Sequence, residues 1–318
     1  MSLTEPTLAV ILATDIFATI RFVVEQWRRQ TMRHRVELVL VAPSADSVRE
    51  ALSLGDEFYR SVFVENPVTD FAAARVAGIQ ACSAPFVFIA ETHAYPRDEN
   101  FVQEIVAAFS NTCSWVVPAF GNANSTGVLS WSGFFTDYGR WSDGLPTGKF
   151  PDAPIFNCAY RREVLLEFGD RLAPALSQGD ELAVTLHARG HCIFMQSEAR
   201  LDHANVSAPL DWFKERFWTG LMIGSFRAKR WSGVRRLAYV AGSPLIPAVM
   251  LRRMLPGILR TAKRLRVPAM TIPTVIVGIL IRTFGEVMGY LGFPAGRAIR
   301  EMHEYELHKF NYTGKWRP

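Results

Sequence analysis

The sequence predicts an α/β protein: a mainly parallel, mixed sheet covered by helices, followed by amphipathic or interfacial helices at the C-terminus. Three observations lead there. Strand and helix signals alternate through the first hundred residues. The strand runs are short and continuously apolar, as in strands buried on both faces. Near Trp231 the alternation gives way to long uncharged runs separated by basic residues. A chain of 318 residues holds one large α/β domain and an appendage, here a domain over 1–230 and a basic, apolar helical tail over 231–318.

Taken in order, Leu8 to Ala13 is an apolar strand, and Ile20 to Gln30 has helical spacing through Ile20, Val23, Val24 and Trp27. Val36 to Ala42 reads as a second buried strand, Ser47 to Leu54 as a helix, and Ser61 to Glu65 as a short third strand. Phe71 to Cys82 is an Ala-rich helix ending before Pro85. Phe86 to Ala90 is a fourth strand, followed directly by acidic and imidazole groups. Ligands in such sheets bind outside the carboxyl ends of strands, so these groups stand where chemistry is expected.

Trp115 to Ala119 is a further strand. The stretch from Gly121 to Asp152 lacks helical or strand period and reads as a long functional loop. Its aromatic residues Trp131, Phe134, Phe135, Tyr138 and Trp141 either stack on a ligand or pack the loop onto the domain. Arg161 to Phe168 and Asp180 to Arg189 read as helices, and Cys192 to Met195 as a strand.

In the tail, Leu237 to Leu251 and Val267 to Ile281 are uncharged runs of fifteen residues each, separated by the basic segment Arg252 to Arg266. Each is short for a bilayer span and carries prolines or glycines. They read as interfacial or re-entrant helices at the inner leaflet; the alternative is a buried helical hairpin.

The net charge of +5 is uneven. Twelve Lys or Arg residues and no Asp or Glu lie between Arg216 and Arg266, leaving the rest of the chain acidic on balance. Such a block needs an anionic partner, and its apolar neighbours favour anionic inner-leaflet lipid over nucleic acid, for which no motif is present. The four cysteines are far apart, without CxxC or metal spacing, and read as reduced thiols. The opening residues lack a signal peptide, which predicts the cytoplasmic face of the inner membrane, peripheral or monotopic.

Four blocks in order, over roughly Leu8 to Trp231, resemble the family 2 glycosyltransferases. They are VILATDIFATIRFVVEQW followed by VELVLVAPSAD; DFAAARVAGIQACSAPFVFIAETH; FNCAYRREVLLEFG; and GDELAVTLHARGHCIFMQSEARLDHANVS. The tail segment GEVMGY is similar to the apolar ends of bacterial members. The resemblance implies a GT-A nucleotide-binding domain and an inverting transfer of sugar from a nucleotide-sugar donor to a lipid-linked or membrane-proximal acceptor. The alternative is a catalytically inactive GT-A-like membrane scaffold.

The resemblance also assigns residues. Glu91-Thr92-His93 stands where the family carries a metal-binding Asp-x-Asp, and His203 where many members supply a further ligand, so Glu91, His93 and His203 are expected to hold Mn2+ or Mg2+. Otherwise Glu91 accepts a hydrogen bond from the sugar and His93 is a loop histidine. Asp180 or Glu181, slipped by a residue from the family spacing, is the expected base; either also suits a helix N-terminus. Arg75 matches an Ala-Arg pair on the nucleotide side, or is a surface ion-pair residue. Thr14, Asp15 and Asp46 are the other nucleotide candidates, or helix caps. Asn157, Arg161, Trp212 and Arg216 are the acceptor-side candidates, or ordinary packing residues.

Overall fold

The computed structural model describes residues 5–110, 112–177 and 180–318, the side chains of Gly55 and Asp180 excepted. The described residues form two compact units. One comprises residues 1–121 and 143–202, the other 122–142 and 203–318.

The first unit holds the sheet. Strands β1 (Leu8–Ala13) and β2 (Val36–Ala42) are buried at every position, which is why neither alternates in hydropathy. Between them lies α1 (Phe17–Arg28), burying Phe17, Ile20, Val23, Val24 and Trp27. A short α2 (Arg49–Leu52) leads to β3 (Arg60–Glu65). Next, α3 (Phe71–Ala81) is capped by Asp70, whose carboxylate accepts from the backbone N–H groups of Ala72 and Ala73. The helix is Ala-rich because it lies hard on the sheet: a Cβ at Gly78 would stand 2.7 Å from a methyl of Ile11.

The chain continues through β4 (Phe86–Ile89), β5 (Ala94–Pro96), α4 (Phe101–Ala108) and β6 (Trp115–Asn122). After an excursion through α5 (Val128–Asp137) in the second unit, it returns as β7 (Gly148–Phe150) and β8 (Cys158–Arg161). Helices α6 (Arg162–Leu166), α7 (Leu172–Ser177) and α8 (Asp180–Ala188) precede β9 (Ile193–His203). The strand order is β3-β2-β1-β4-β8-β6-β9-β5, with β7 on β9. Strands β1 to β4 run parallel, and β8 runs antiparallel between β4 and β6. This is the mainly parallel, mixed sheet expected from the sequence.

Three local expectations are corrected. The long stretch after β6 is not structureless: α5 buries Trp131, Phe134 and Phe135, with Trp131 stacked on Phe135 and Phe134 edge-on to both. Strand β8 is an addition, and the helix expected from Arg161 begins at Arg162; four residues are too few to show a period. Two of the four cysteines are not reduced: Cys113 and Cys192 form a disulfide. Their separation of 79 residues concealed the pairing, yet they stand just before β6 and β9, neighbours in the sheet, with Cα atoms 4.7 Å apart. Cys82 and Cys158 are buried thiols, and burial pushes Cys82 up to about 11.

The second unit is helical: α5, α9 (Pro209–Arg230), α10 (Gly233–Gly242), α11 (Ile246–Arg264), α12 (Thr271–Tyr290) and α13 (Gly296–His308). The basic segment lies largely within α11, which carries Pro256 inside it. Helices α9 and α12 meet backbone to backbone through two Gly-x-x-x-Gly pairs. A Cβ at Gly220 would stand 1.9 Å from Arg282 O, at Gly224 2.1 Å from Glu286 O, at Gly285 2.2 Å from Phe217 O and at Gly289 2.5 Å from Ser225 N. By length and composition α12 could cross a membrane, yet a third or more of it is buried within the protein.

Gly224→Ala forces two backbones apart and is expected to cost about 1–3 kcal/mol, as overpacking of a close contact does. Thermal unfolding reads the loss. Gly233→Ala, whose added Cβ meets nothing within 4 Å, serves as the control with an unchanged midpoint.

Candidate functional site

The residues after β4 are placed by two rungs of backbone. Ala90 N–H donates to Ile11 O at 3.0 Å, and Asn157 N–H donates to Ile89 O at 2.7 Å. Because β4 and β8 run antiparallel with Ile89 opposite Cys158, Glu91 and Asn157 leave the sheet side by side. Asn157 then clasps Glu91 twice: its amide donates to Glu91 Oε2 at 2.6 Å, and its Oδ1 accepts from the Glu91 backbone N–H at 3.1 Å. Asn157 has φ +58°, a left-handed conformation that asparagine tolerates better than most residues. A buried carboxylate without such donors would be costly, and Glu91 is only 7% exposed.

His93 is fully buried, with Nε2 3.4 Å from Glu91 Oε2 and Nδ1 3.2 Å from Thr92 Oγ1. His203, the last residue of β9, is also buried, and the Tyr138 ring lies against its imidazole with centroids 4.4 Å apart. Around His203 runs a lattice of asparagines. Its Nδ1 lies 3.0 Å from Asn205 Oδ1, while Asn205 Nδ2 donates to His203 O at 3.0 Å and to Asn122 Oδ1 at 2.9 Å. Asn124 pairs with the Asn205 backbone as a further strand would: Oδ1 accepts from Asn205 N at 2.8 Å and Nδ2 donates to Asn205 O at 2.7 Å. Asn122 Nδ2 has no hydrogen-bond partner among the described residues. Leaving a buried donor unpaired costs about 1–3 kcal/mol, so the amide is held for the sake of its oxygen.

Glu91 and His93 bring a carboxylate and an imidazole together in the first unit, and His203 offers a further imidazole in the second. All three residues are buried, and one carboxylate with two imidazoles is a donor set that suits a divalent first-row cation. The residues present fit such an ion.

The other sequence candidates fall elsewhere. Thr14, at the carboxyl end of β1, is buried, and its hydroxyl donates to Ile16 O at 3.0 Å. Asp15 Oδ1 accepts from Ile16 N–H and Thr19 Oγ1, which makes it a helix-start residue for α1. Asp46 is exposed and pairs with Arg49. Arg75 is buried and not a surface residue: its guanidinium lies 3.7 Å over the Phe156 ring, one residue before the Asn157 clasp. Arg161 is not brought to Glu91, because it pairs with Phe86 at the opposite end of β4 and donates to Phe109 O and Cys113 O. Glu181 lies half-buried in the first turn of α8; the Asp180 side chain lies outside the described residues.

Trp212 and Arg216 are internal to the second unit. Trp212 packs with Val206 and Tyr305. Arg216, 2% exposed, donates to both carboxylate oxygens of Asp137, at 3.2 and 2.9 Å, and to Glu215 at 2.8 Å. Burial opposes ionisation of both acids. The nearby Arg216 holds the Asp137 carboxyl below its usual range, whereas burial prevails at Glu215 and pushes it up. Neither Asp137 nor the asparagines at 122 and 124 stand out in the sequence, whereas Asn205 closes the His-x-Asn of the fourth block that carries the resemblance. The Asn-x-Asn after β6 was the one signal for Asn122 and Asn124, and it is too short to stand out.

Asn157→Gly removes the clasp while keeping a residue at home with φ +58°. It is expected to lower Mn2+ affinity by about 10–100-fold, the usual effect of losing a ligand's supporting hydrogen bonds, read from free Mn2+ by electron paramagnetic resonance. Arg216→Met leaves the buried Glu215 and the half-buried Asp137 without their guanidinium partner and is expected to cost about 3–5 kcal/mol, measured by thermal unfolding. A variant altered in acceptor use at unchanged stability would contradict that assignment.

No protein-family profile and no curated protein matches the sequence. Solved structures do resemble the fold. A mannosyltransferase from Pyrobaculum calidifontis, in complex with GDP-Man and Mn2+, superposes with TM-score 0.51 at 14% identity, over 96% of this chain and 89% of that one. S. aureus TarS residues 1–349, in complex with UDP, gives TM-score 0.47 at 11% identity, over 90% and 91% of the chains. GalNAc-T7 with UDP, GalNAc and Mn2+ gives TM-score 0.49 at 15% identity, over 62% of this chain and 43% of that longer one. The near-complete superposition on the mannosyltransferase shows that the chain has the GT-A-like fold of a glycosyltransferase.

Proposed function

We propose that the protein is a glycosyltransferase that moves one sugar from a nucleotide-sugar donor to an acceptor, inverting the anomeric carbon. The observation that carries this reading is the buried Glu91–His93 pair that follows the carboxyl end of β4, to which His203 is proposed to add a third ligand. Open α/β sheets bind ligands at that edge, and the mannosyltransferase of the same fold holds GDP-Man and Mn2+. A departing nucleoside diphosphate needs its developing charge neutralised, and a divalent cation on these three residues supplies that when bound. Two imidazoles beside one carboxylate favour Mn2+ over Mg2+. Asn157 steadies Glu91, and Arg75 stands next to that clasp through Phe156. Inversion needs one carboxylate to accept the proton of the acceptor hydroxyl, a role assigned to Asp180 or Glu181 at the start of α8.

The test is turnover of full-length protein on UDP- and GDP-linked sugars with Mn2+, read as released nucleotide. Hydrolysis of one donor class, falling at least about 100-fold in Glu91→Gln, is expected from loss of a charged ligand. Absence of binding and turnover with every donor would leave a non-catalytic scaffold as the reading.

The acceptor is proposed to be lipid-linked or membrane-proximal, with the tail at the cytoplasmic face of the membrane. Two features of the second unit support this. Val234, Leu237, Leu245 and Met270 are exposed apolar side chains of the tail, 62–80% exposed. Twelve basic residues without an acidic one lie between Arg216 and Arg266. The cytoplasmic side is argued from that basic run; the Cys113–Cys192 disulfide does not support it, since reducing compartments disfavour such bonds. Full-length protein is expected to sediment with anionic vesicles and to be released in part by about 1 M salt, where screening shortens to roughly 3 Å. Protein that stays in the supernatant with anionic vesicles would refute the membrane reading.

A further inference from the structure

We infer that Asn205 is a positioning residue for His203: it fixes the imidazole as the Nδ1–H tautomer, so that Nε2 is the atom offered to a cation. This rests on the reading of Glu91, His93 and His203 as ligands, and it names which atom of His203 serves and what makes it serve.

The tautomer follows from an acceptor whose identity is beyond dispute. His203 O is a backbone carbonyl and can only accept. The Asn205 side-chain atom 3.0 Å from it must therefore be the NH2 group. The other Asn205 atom, 3.0 Å from His203 Nδ1, is then the amide oxygen, which also can only accept. Nδ1 must carry the hydrogen. With the proton on Nδ1, the lone pair of the neutral ring resides on Nε2, the form in which imidazole ligates a metal.

The surrounding lattice keeps Asn205 from turning over. A flip of its amide would set its oxygen against both His203 O and Asn122 Oδ1, two acceptors. Its backbone is held independently by the Asn124 side chain on both N–H and C=O. Ala123 N–H donates to His203 O at 3.0 Å, so the carbonyl that decides the orientation is itself held. Asn122 keeps its oxygen toward Asn205 although its own NH2 finds no partner among the described residues. These residues all belong to the second unit, and Asn122 and Asn205 are both buried.

The experiment uses full-length, metal-free protein labelled with 15N-histidine, seven residues in all, with His203→Gln to assign the signal. Long-range 1H–15N correlation is expected to show His203 protonated at Nδ1 in the wild type and in Asn205→Asp, which retains an acceptor, and a mixture of tautomers in Asn205→Ala. Manganese titration of the same proteins is expected to give a 10–100-fold weaker affinity for Asn205→Ala and a smaller loss for Asn205→Asp. A wild-type His203 protonated at Nε2 overturns the proposal without any variant. So does an Asn205→Ala protein that binds Mn2+ within twofold of the wild type while His203→Gln does not. Equal Mn2+ binding by wild type and His203→Gln instead overturns the ligand reading itself, and the tautomer measurement still decides what Asn205 does to the ring.

Discussion

The antiparallel pairing of β4 with β8 is the constraint on which the site depends. β4 delivers a glutamate to the carboxyl edge of a parallel sheet, where water is excluded and a bare carboxylate is unfavourable. β8, arriving from seventy residues downstream in the opposite sense, delivers the amide that makes the position tolerable. Neither strand exceeds four residues. A slip of one residue in their register would turn Asn157 to the other face and leave Glu91 without its clasp. The left-handed backbone at Asn157 fits the same logic: strain is accepted where the side chain must point one way only.

Much of this was legible in the residues. β1, β2 and β4 announce themselves because burial on both faces demands unbroken apolar runs, and α1 because its buried stripe repeats at helical period. Glu91, His93 and His203 were legible as a trio only through resemblance, since 110 residues separate the second from the third and no local spacing joins them. β8 was hidden because four residues carry no period, and α5 because glycine and serine dilute its apolar stripe. The disulfide was hidden for a related reason: pairing of Cys113 with Cys192 is a property of strand order, which the sequence states nowhere.

The candidates that went elsewhere share a pattern. Arg161 and Arg216 are charged residues in motif-like surroundings, and both are spent on internal neighbours, one on backbone carbonyls and the other on two acids. A guanidinium offers five donors in a rigid fork, which serves a buried carboxylate as well as a substrate phosphate. Type and spacing cannot separate those uses; for Arg161 the end of the strand on which it falls can. Asn157 shows the converse: the resemblance places it on the acceptor side, and the structure has it holding the carboxylate beside it.

The glycine crossing of α9 and α12 carries a consequence for where this protein can work. Most helix pairs in soluble proteins adhere because water is expelled from between apolar side chains, a drive that vanishes when the surroundings are themselves hydrocarbon. Here the two helices touch along their main chains, at Gly220 and Gly224 on one and Gly285 and Gly289 on the other. Cohesion of that kind comes from dispersion at close range and from Cα–H groups facing carbonyl oxygens, neither of which is borrowed from the solvent. The same pair would therefore hold its geometry whether its outer faces met water, detergent or acyl chains.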